Sequence, residues 1–199
     1  MVYNLLTDRL PAEISVCGHR CPIYTDFRRW ILVIELFAEE DLPAAGKLEC
    51  AAKLVFPGWE SAGFGKNEEF FRSLANGIVW FASCGHPVRR TGRGLPVSGR
   101  DVSAEPVLDF TQDAERIAAG FLQTYGIDLC SPSVTMHFWK FMALLRNLPA
   151  ETEFMRVVNL RKTDTTAIED DTLRRRIRRA KANVRIRGGD DDRKERYYG

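Results

Sequence analysis

Two short stretches carry the residue types that hold a metal. Cys17-Gly18-His19-Arg20-Cys21 and Cys84-Gly85-His86 both contain Cys-Gly-His. Together they could offer the three or four nitrogen and sulfur ligands of a zinc site. Neither has the Cys-x-x-Cys spacing of zinc modules, so the cysteines read better as small hydrophobes in the core or at a hairpin edge, and no metal is assigned. His137 could serve as a general base, but no Ser or Cys nucleophile accompanies it in a recognisable motif. A core histidine with a ring nitrogen bonded to a backbone carbonyl is the better account. Asp109, Asp113 and Asp128 could form a carboxylate cluster, yet their places at helix ends explain them as caps and turn formers. Gly92-Arg93-Gly94 lacks the preceding strand and the Lys-Ser/Thr pair of a phosphate loop. Phe138, Trp139 and Phe141 have only Lys140 interleaved, which suits core packing better than base stacking. The chain is therefore expected not to be an enzyme and to use no cofactor.

The strongest chemical signal is charge. Between Thr172 and Gly189 lie Arg174, Arg175, Arg176, Arg178, Arg179, Lys181, Arg185 and Arg187, with no acidic residue. Subtracting these eight from the formal net charge of +2 leaves −6 for the rest of the 199-residue chain. Leu173, Ile177, Ala180 and Val184 step by four, three and four, a narrow apolar stripe of coiled-coil type. Such a helix can contact nucleic acid, lie in an acidic groove of a partner protein, or dock on its own acidic remainder. The apolar stripe favours protein contact or self-docking over nucleic acid. Candidate partner-binding residues are Trp139, Leu173, Arg174, Arg175, Ile177, Arg178, Lys181, Val184 and Arg185. Trp139 is included because it departs from the main apolar stripe of its helix.

The elements that must position these residues are mostly helical. Asn4 to Pro11 is a lead-in. Ile14-Ser15-Val16-Cys17 and Cys21-Pro22-Ile23-Tyr24, separated by Gly18-His19-Arg20, read as a hairpin covering one end of a helical core. A helix capped by Thr25 or Asp26 buries Phe27, Trp30, Ile31, Ile34 and Phe37, and Leu42-Pro43 ends it. Leu48, Ala51, Ala52, Val55 and Phe56 mark a second, closed by Pro57-Gly58. Phe70, Phe71, Leu74, Ile78, Phe81 and Ala82 mark a third after Asn67. The stretch from about 86 to 106, with three glycines among four arginines, reads as an exposed loop. A helix pair follows. The first has Thr111 as N-cap, apolar positions from Ala114 to Tyr125 and Gly126 as left-handed stop. The second starts at Ser131-Pro132 and carries Val134, Phe138, Phe141, Leu145 and Leu148. Phe154, Val157, Val158 and Leu160 give one more. The expected architecture is mainly α: a helical domain over 1–166, and a basic helix with a polar tail over 167–199. A length near 200 residues and 45% hydrophobic content suit a compact core. Scattered, odd-numbered cysteines argue against a disulfide scaffold. No apolar run is long enough to span a membrane, no signal peptide is read, and a reducing cytoplasm is expected.

Tyr125-Gly126-Ile127-Asp128-Leu129, followed by Met136-His137-Phe138-Trp139-Lys140-Phe141, resembles the signature of a phage tail-region family, bacteriophage gene product fifteen. Leu6-Thr7-Asp8-Arg9-Leu10-Pro11, Thr25-Asp26-Phe27-Arg28-Arg29-Trp30 and Asp109-Phe110 with Asp113 occur in the matching order. The resemblance covers roughly Leu6 to Arg161. It implies a tail morphogenesis protein, with an assembly chaperone of the tape-measure protein as the leading role. A structural virion component at a tail or head–tail interface is the alternative, and nucleic-acid binding the third. Under the leading role the partners are the tape-measure protein or other tail proteins, with self-association left open. The protein would then reside in the host bacterial cytoplasm and be absent from the mature virion.

Overall fold

The structure is a computed structural model that describes residues 3–39, 41–59, 67–86 and 107–186. Most of the expected loop, from Pro87 on, and the polar tail with Arg187 lie outside the described residues. The elements run β1 (Glu13–Val16), β2 (His19–Pro22), α1 (Phe27–Ala38), α2 (Ala44–Val55), α3 (Glu68–Ala82), α4 (Ala114–Tyr125), α5 (Phe138–Arg146), α6 (Glu153–Lys162) and α7 (Asp171–Asn183). The chain is mainly helical with an N-terminal hairpin, as its sequence leads one to expect. It divides into two compact units, Met1–Ala104 with Thr135–Ala143, and Glu105–Val134 with Leu144–Gly199.

In the first unit the hairpin is antiparallel, with Ile14 opposite Cys21 and Val16 opposite His19. Its two-residue turn, Cys17-Gly18, has φ of 50° and 79°, the backbone hand that matches strand twist. Ser73 Oγ on α3 accepts from Cys17 N at 2.7 Å. Ile14 and Val16 point inward, and α3 approaches so closely that a Cβ on Gly77 would come within 2.9 Å of the Ile14 Cδ1 atom. Glycine is what lets helix and strand touch here.

Asp26 caps α1 by accepting from Arg28 N at 3.0 Å. Trp30, Val33, Leu74, Ile78, Phe81, Phe138 and Phe141 fill the core. Trp30 stacks on Phe81 at 4.2 Å and Phe27 on Phe141 at 4.7 Å. The Trp30 indole N–H donates to Tyr24 O at 2.8 Å, so its burial leaves no orphan donor. Truncating a side chain of this kind costs about 3–5 kcal/mol.

The second helix of the central pair starts later than Ser131-Pro132 suggests. Residues 134–136 are not helical, His137 lies in a β-bridge, and α5 begins only at Phe138. The competing interaction is a bridge between Asp26 and His137. Phe138 N donates to Thr25 O at 2.8 Å, and Phe27 N donates to Met136 O at 3.0 Å. The segments that lead into α1 and α5 thus satisfy each other's backbone groups, although 110 residues separate Asp26 from Met136. Before it, Asp128 Oδ1 accepts from Cys130 N and holds a turn.

His137 sits at this bridge. Trp139 N donates to its Nδ1 at 3.1 Å, which leaves Nε2 as the donor to Pro11 O at 2.9 Å. This is the neutral tautomer. Burial pulls its pKa below the ordinary 6.5, against the opposing pull of the Pro11 carbonyl.

In the second unit Ile117, Phe121, Leu145, Leu148, Phe154 and Val157 are buried. Gly126 ends α4 with φ of 66°, the left-handed stop read from the sequence. The start differs: α4 begins at Ala114, not after Thr111. Asp109 Oδ1 accepts from Gln112 N and Asp113 Oδ2 from Asp109 N, and this side-chain bonding makes a turn where a helical one was expected.

The His137 geometry fixes an acid response. Above pH 6.5 the ring is neutral both folded and unfolded, so its contribution to stability is complete. As pH falls below 6.5 the unfolded ring takes up a proton first, and that contribution is lost toward the folded pKa. The urea midpoint is expected to drop between pH 7 and pH 5, and His137→Gln to flatten that slope. An identical slope in the variant would contradict the assignment.

Candidate interaction surface

Thr152 caps α6, accepting from Met155 N at 3.4 Å. The helix buries Phe154, Val157 and Val158. Arg161 continues the same face one turn later, so its guanidinium enters the interior, with the side chain only 7% exposed. Nη1 donates to Asp113 Oδ2 at 2.5 Å and Nη2 to Asp113 Oδ1 at 3.0 Å, a bidentate pair with a fully buried carboxylate. Two further N–H groups are also used: Nε donates to Val184 O at 2.6 Å, and Nη1 to Val107 O at 3.1 Å. Arg116 stands 3.4 Å from the same carboxylate. Among the described residues no buried side-chain nitrogen or oxygen lacks a partner.

One arginine therefore ties the start of α4, the chain at Val107 and the end of α7 together. Sequence reasoning took Asp113 as a helix-end residue and missed this pair. The available clue was Arg161 itself. An arginine in register with the apolar positions of a helix needs a buried anion.

Asp170 caps α7 through Thr172 N at 2.7 Å and Leu173 N at 3.1 Å. Besides Arg161 on Val184 O, Lys181 Nζ donates to Thr163 O at 2.7 Å, and α7 contacts α6. Arg174, Ile177, Ala180, Lys181 and Val184 are half-buried. At 100° per residue these five share one side of the helix. Arg175, Arg176, Arg178 and Arg179 are exposed on the other, and Arg185 follows them, also exposed. Leu173, in the first turn, is 46% exposed. The ion pair within α7 joins Arg174 to Asp171. Among the described residues, Arg175, Arg176, Arg178, Arg179 and Arg185 form no ion pair.

The stripe read as a partner-docking feature is thus turned toward α6, apart from Leu173. Trp139 departs further from the reading of its surface role. It is 1% exposed, and its indole N–H donates to Phe81 O at 2.8 Å. Its ring packs edge-on against Tyr3 and Trp80 at 5.1 and 5.4 Å. It is a core residue: the large ring buries apolar area, and a backbone carbonyl satisfies its one polar group.

The two Cys-Gly-His pieces share a backbone shape. Cys84 and Gly85 have φ of 55° and 73°, as in the Cys17-Gly18 turn. His19 and His86 are exposed, whereas Cys21 is buried. Burial, then the nearby Cys17, pushes the Cys21 thiol up. Among the described residues no group of three or more His, Cys, Asp or Glu could hold a metal. No helix among them is long and apolar enough to cross a membrane.

A family model described as "Bacteriophage Gp15 protein" matches residues 6–186. The match runs past Arg161, where the resemblance read from motifs ends, and takes in α7. No curated protein and no solved structure matches the chain.

The buried pair predicts an asymmetry between single and double replacement. Asp113→Ala leaves the Arg161 charge buried alone, and urea unfolding should show a loss of about 3–5 kcal/mol. Asp113→Leu with Arg161→Met removes both charges and should cost much less than the single change. Equal losses would mean that the pair is not coupled.

Proposed function

The chain belongs to the bacteriophage Gp15 family, and on that premise we propose that it is a tail assembly chaperone that holds the tape-measure protein soluble during tail assembly. The family points to a structural or morphogenesis role with phage protein partners. The observation that carries the reading is the span of the match, which includes every described helix. The chaperone role is the finer step. A long helical partner exposes apolar stripes that aggregate unless covered. Each unit by itself carries an exposed leucine on an otherwise packed helix, Leu32 on α1 in the first and Leu122 on α4 in the second, and each is an apolar contact for a partner. Binding is reversible and release follows competition by tail-tube subunits, so no nucleotide or catalytic group is required. The protein works in the host cytoplasm and leaves before the virion matures.

Co-expression with the tape-measure protein of the same genome tests this. The expected result is a soluble complex on size exclusion with light scattering, the tape measure being insoluble when expressed alone. Purified particles should lack the chain. A tape measure that stays insoluble, together with the chain found in particles, would instead support a structural component at a tail or head–tail interface.

A further inference from the structure

We propose that the outward face of α7 binds the phosphate backbone of nucleic acid without reading its sequence. This stands apart from the chaperone reading and rests on how α7 is docked. The sequence alone favours a protein groove or self-docking over nucleic acid, because the helix carries an apolar stripe. The structure shows self-docking, and the stripe is thereby used within the chain. Ile177, Ala180 and Val184 are on the half-buried side, and the helix is held there by Lys181 on Thr163 O and by Arg161 on Val184 O.

What remains outward is Arg175, Arg176, Arg178 and Arg179, with Asp171 and Thr172 in the first turn and Ala182 and Asn183 in the last. The arginines at 175, 178 and 179 stand at i, i+3 and i+4, so their guanidinium groups share one face. Among the described residues none of these three forms an ion pair, and the Asp171 carboxylate on the same helix is held by Arg174.

The composition of this face decides between polyanions. Protein interfaces use arginine as well, but beside aromatic anchors in a core from which other charge is largely excluded. The outward arginine face has no such anchor, and Leu173 lies toward the other side. A membrane surface would need the apolar side of an amphipathic helix to be free, and here it is docked. A phosphate backbone asks for neither. It is bound by clustered guanidinium groups through bidentate contacts and release of counterions.

The test uses the full chain, freed of nucleic acid, and fluorescently labelled 20-nucleotide single-stranded RNA and DNA of mixed sequence. Anisotropy titrations are run between 50 and 300 mM salt, alongside a labelled polyglutamate of matched charge. The expected result is binding to RNA and DNA with little sequence preference. Log affinity should fall against log salt with a slope of about −2 to −3, as three or four neutralised phosphates give on a single strand. Arg175→Gln, Arg178→Gln and Arg179→Gln together should weaken binding at least tenfold, with unchanged circular dichroism. The corresponding triple Lys variant should retain the salt slope. No binding at 50 mM salt overturns the proposal, as does a triple Gln variant that binds like wild type. Polyglutamate bound as tightly as nucleic acid also overturns it, in favour of an acidic protein face.

Discussion

Among the described residues of the second unit, one buried charge pair, Asp113 with Arg161, fixes how the elements meet. Arg161 brings five donors into an interior otherwise filled by Ile117, Phe121, Phe154 and Val157. An uncompensated charge there would cost several kcal/mol. The Asp113 carboxylate offsets the charge, and the carbonyls of Val107 and Val184 take further N–H groups. Guanidinium geometry makes this possible, because a planar fork reaches several acceptors at once where an ammonium would offer a single compact point. The pair also specifies arrangement. The start of α4 and the end of α7 must both come to Arg161 for its bonds to be made.

The first unit is held differently. Its core is aromatic and nearly dry of charge, and its polar groups are matched one to one. The Trp30 and Trp139 indoles each find a backbone carbonyl, and His137 uses both ring nitrogens. The Asp26–His137 bridge supplies partners for the backbone ahead of two helices. Without it, the N–H groups at the starts of α1 and α5 would need water or side-chain caps.

Local signals were legible in the sequence and distant ones were not. The hairpin was readable because alternating residues flank a short turn, and the cap of α1, narrowed to Thr25 or Asp26, because a short polar side chain precedes an apolar period. Gly126 was readable as a stop for the same kind of reason. The start of α5 was not, because Ser131-Pro132 is a good local helix signal and the interaction that overrides it comes from Thr25 and Asp26. The Asp113–Arg161 pair joins residues 48 apart, and no local period reports it. Trp139 lies off the main stripe of its helix and so could be read as covering the hairpin or a partner, because helical phase alone cannot say how many sides of a helix are covered. The basic helix was legible as charge and as a stripe, but which side it buries is a tertiary fact. That fact determines what the helix can bind.

Docking turns a sequence of mixed character into a surface of one character, since the apolar side of α7 is used within the unit and the arginines face outward. Hydrogen exchange measures this most directly. Amide exchange in α7 would be compared between the wild-type chain and the Asp113→Leu/Arg161→Met variant, which removes both charges but keeps side-chain volume. If Arg161 fixes α7, the amides of Ile177 to Lys181 should lose protection in the variant while those of the N-terminal hairpin keep theirs. Unchanged protection across α7 would contradict the account, because the helix would then be held by something other than the Arg161 network.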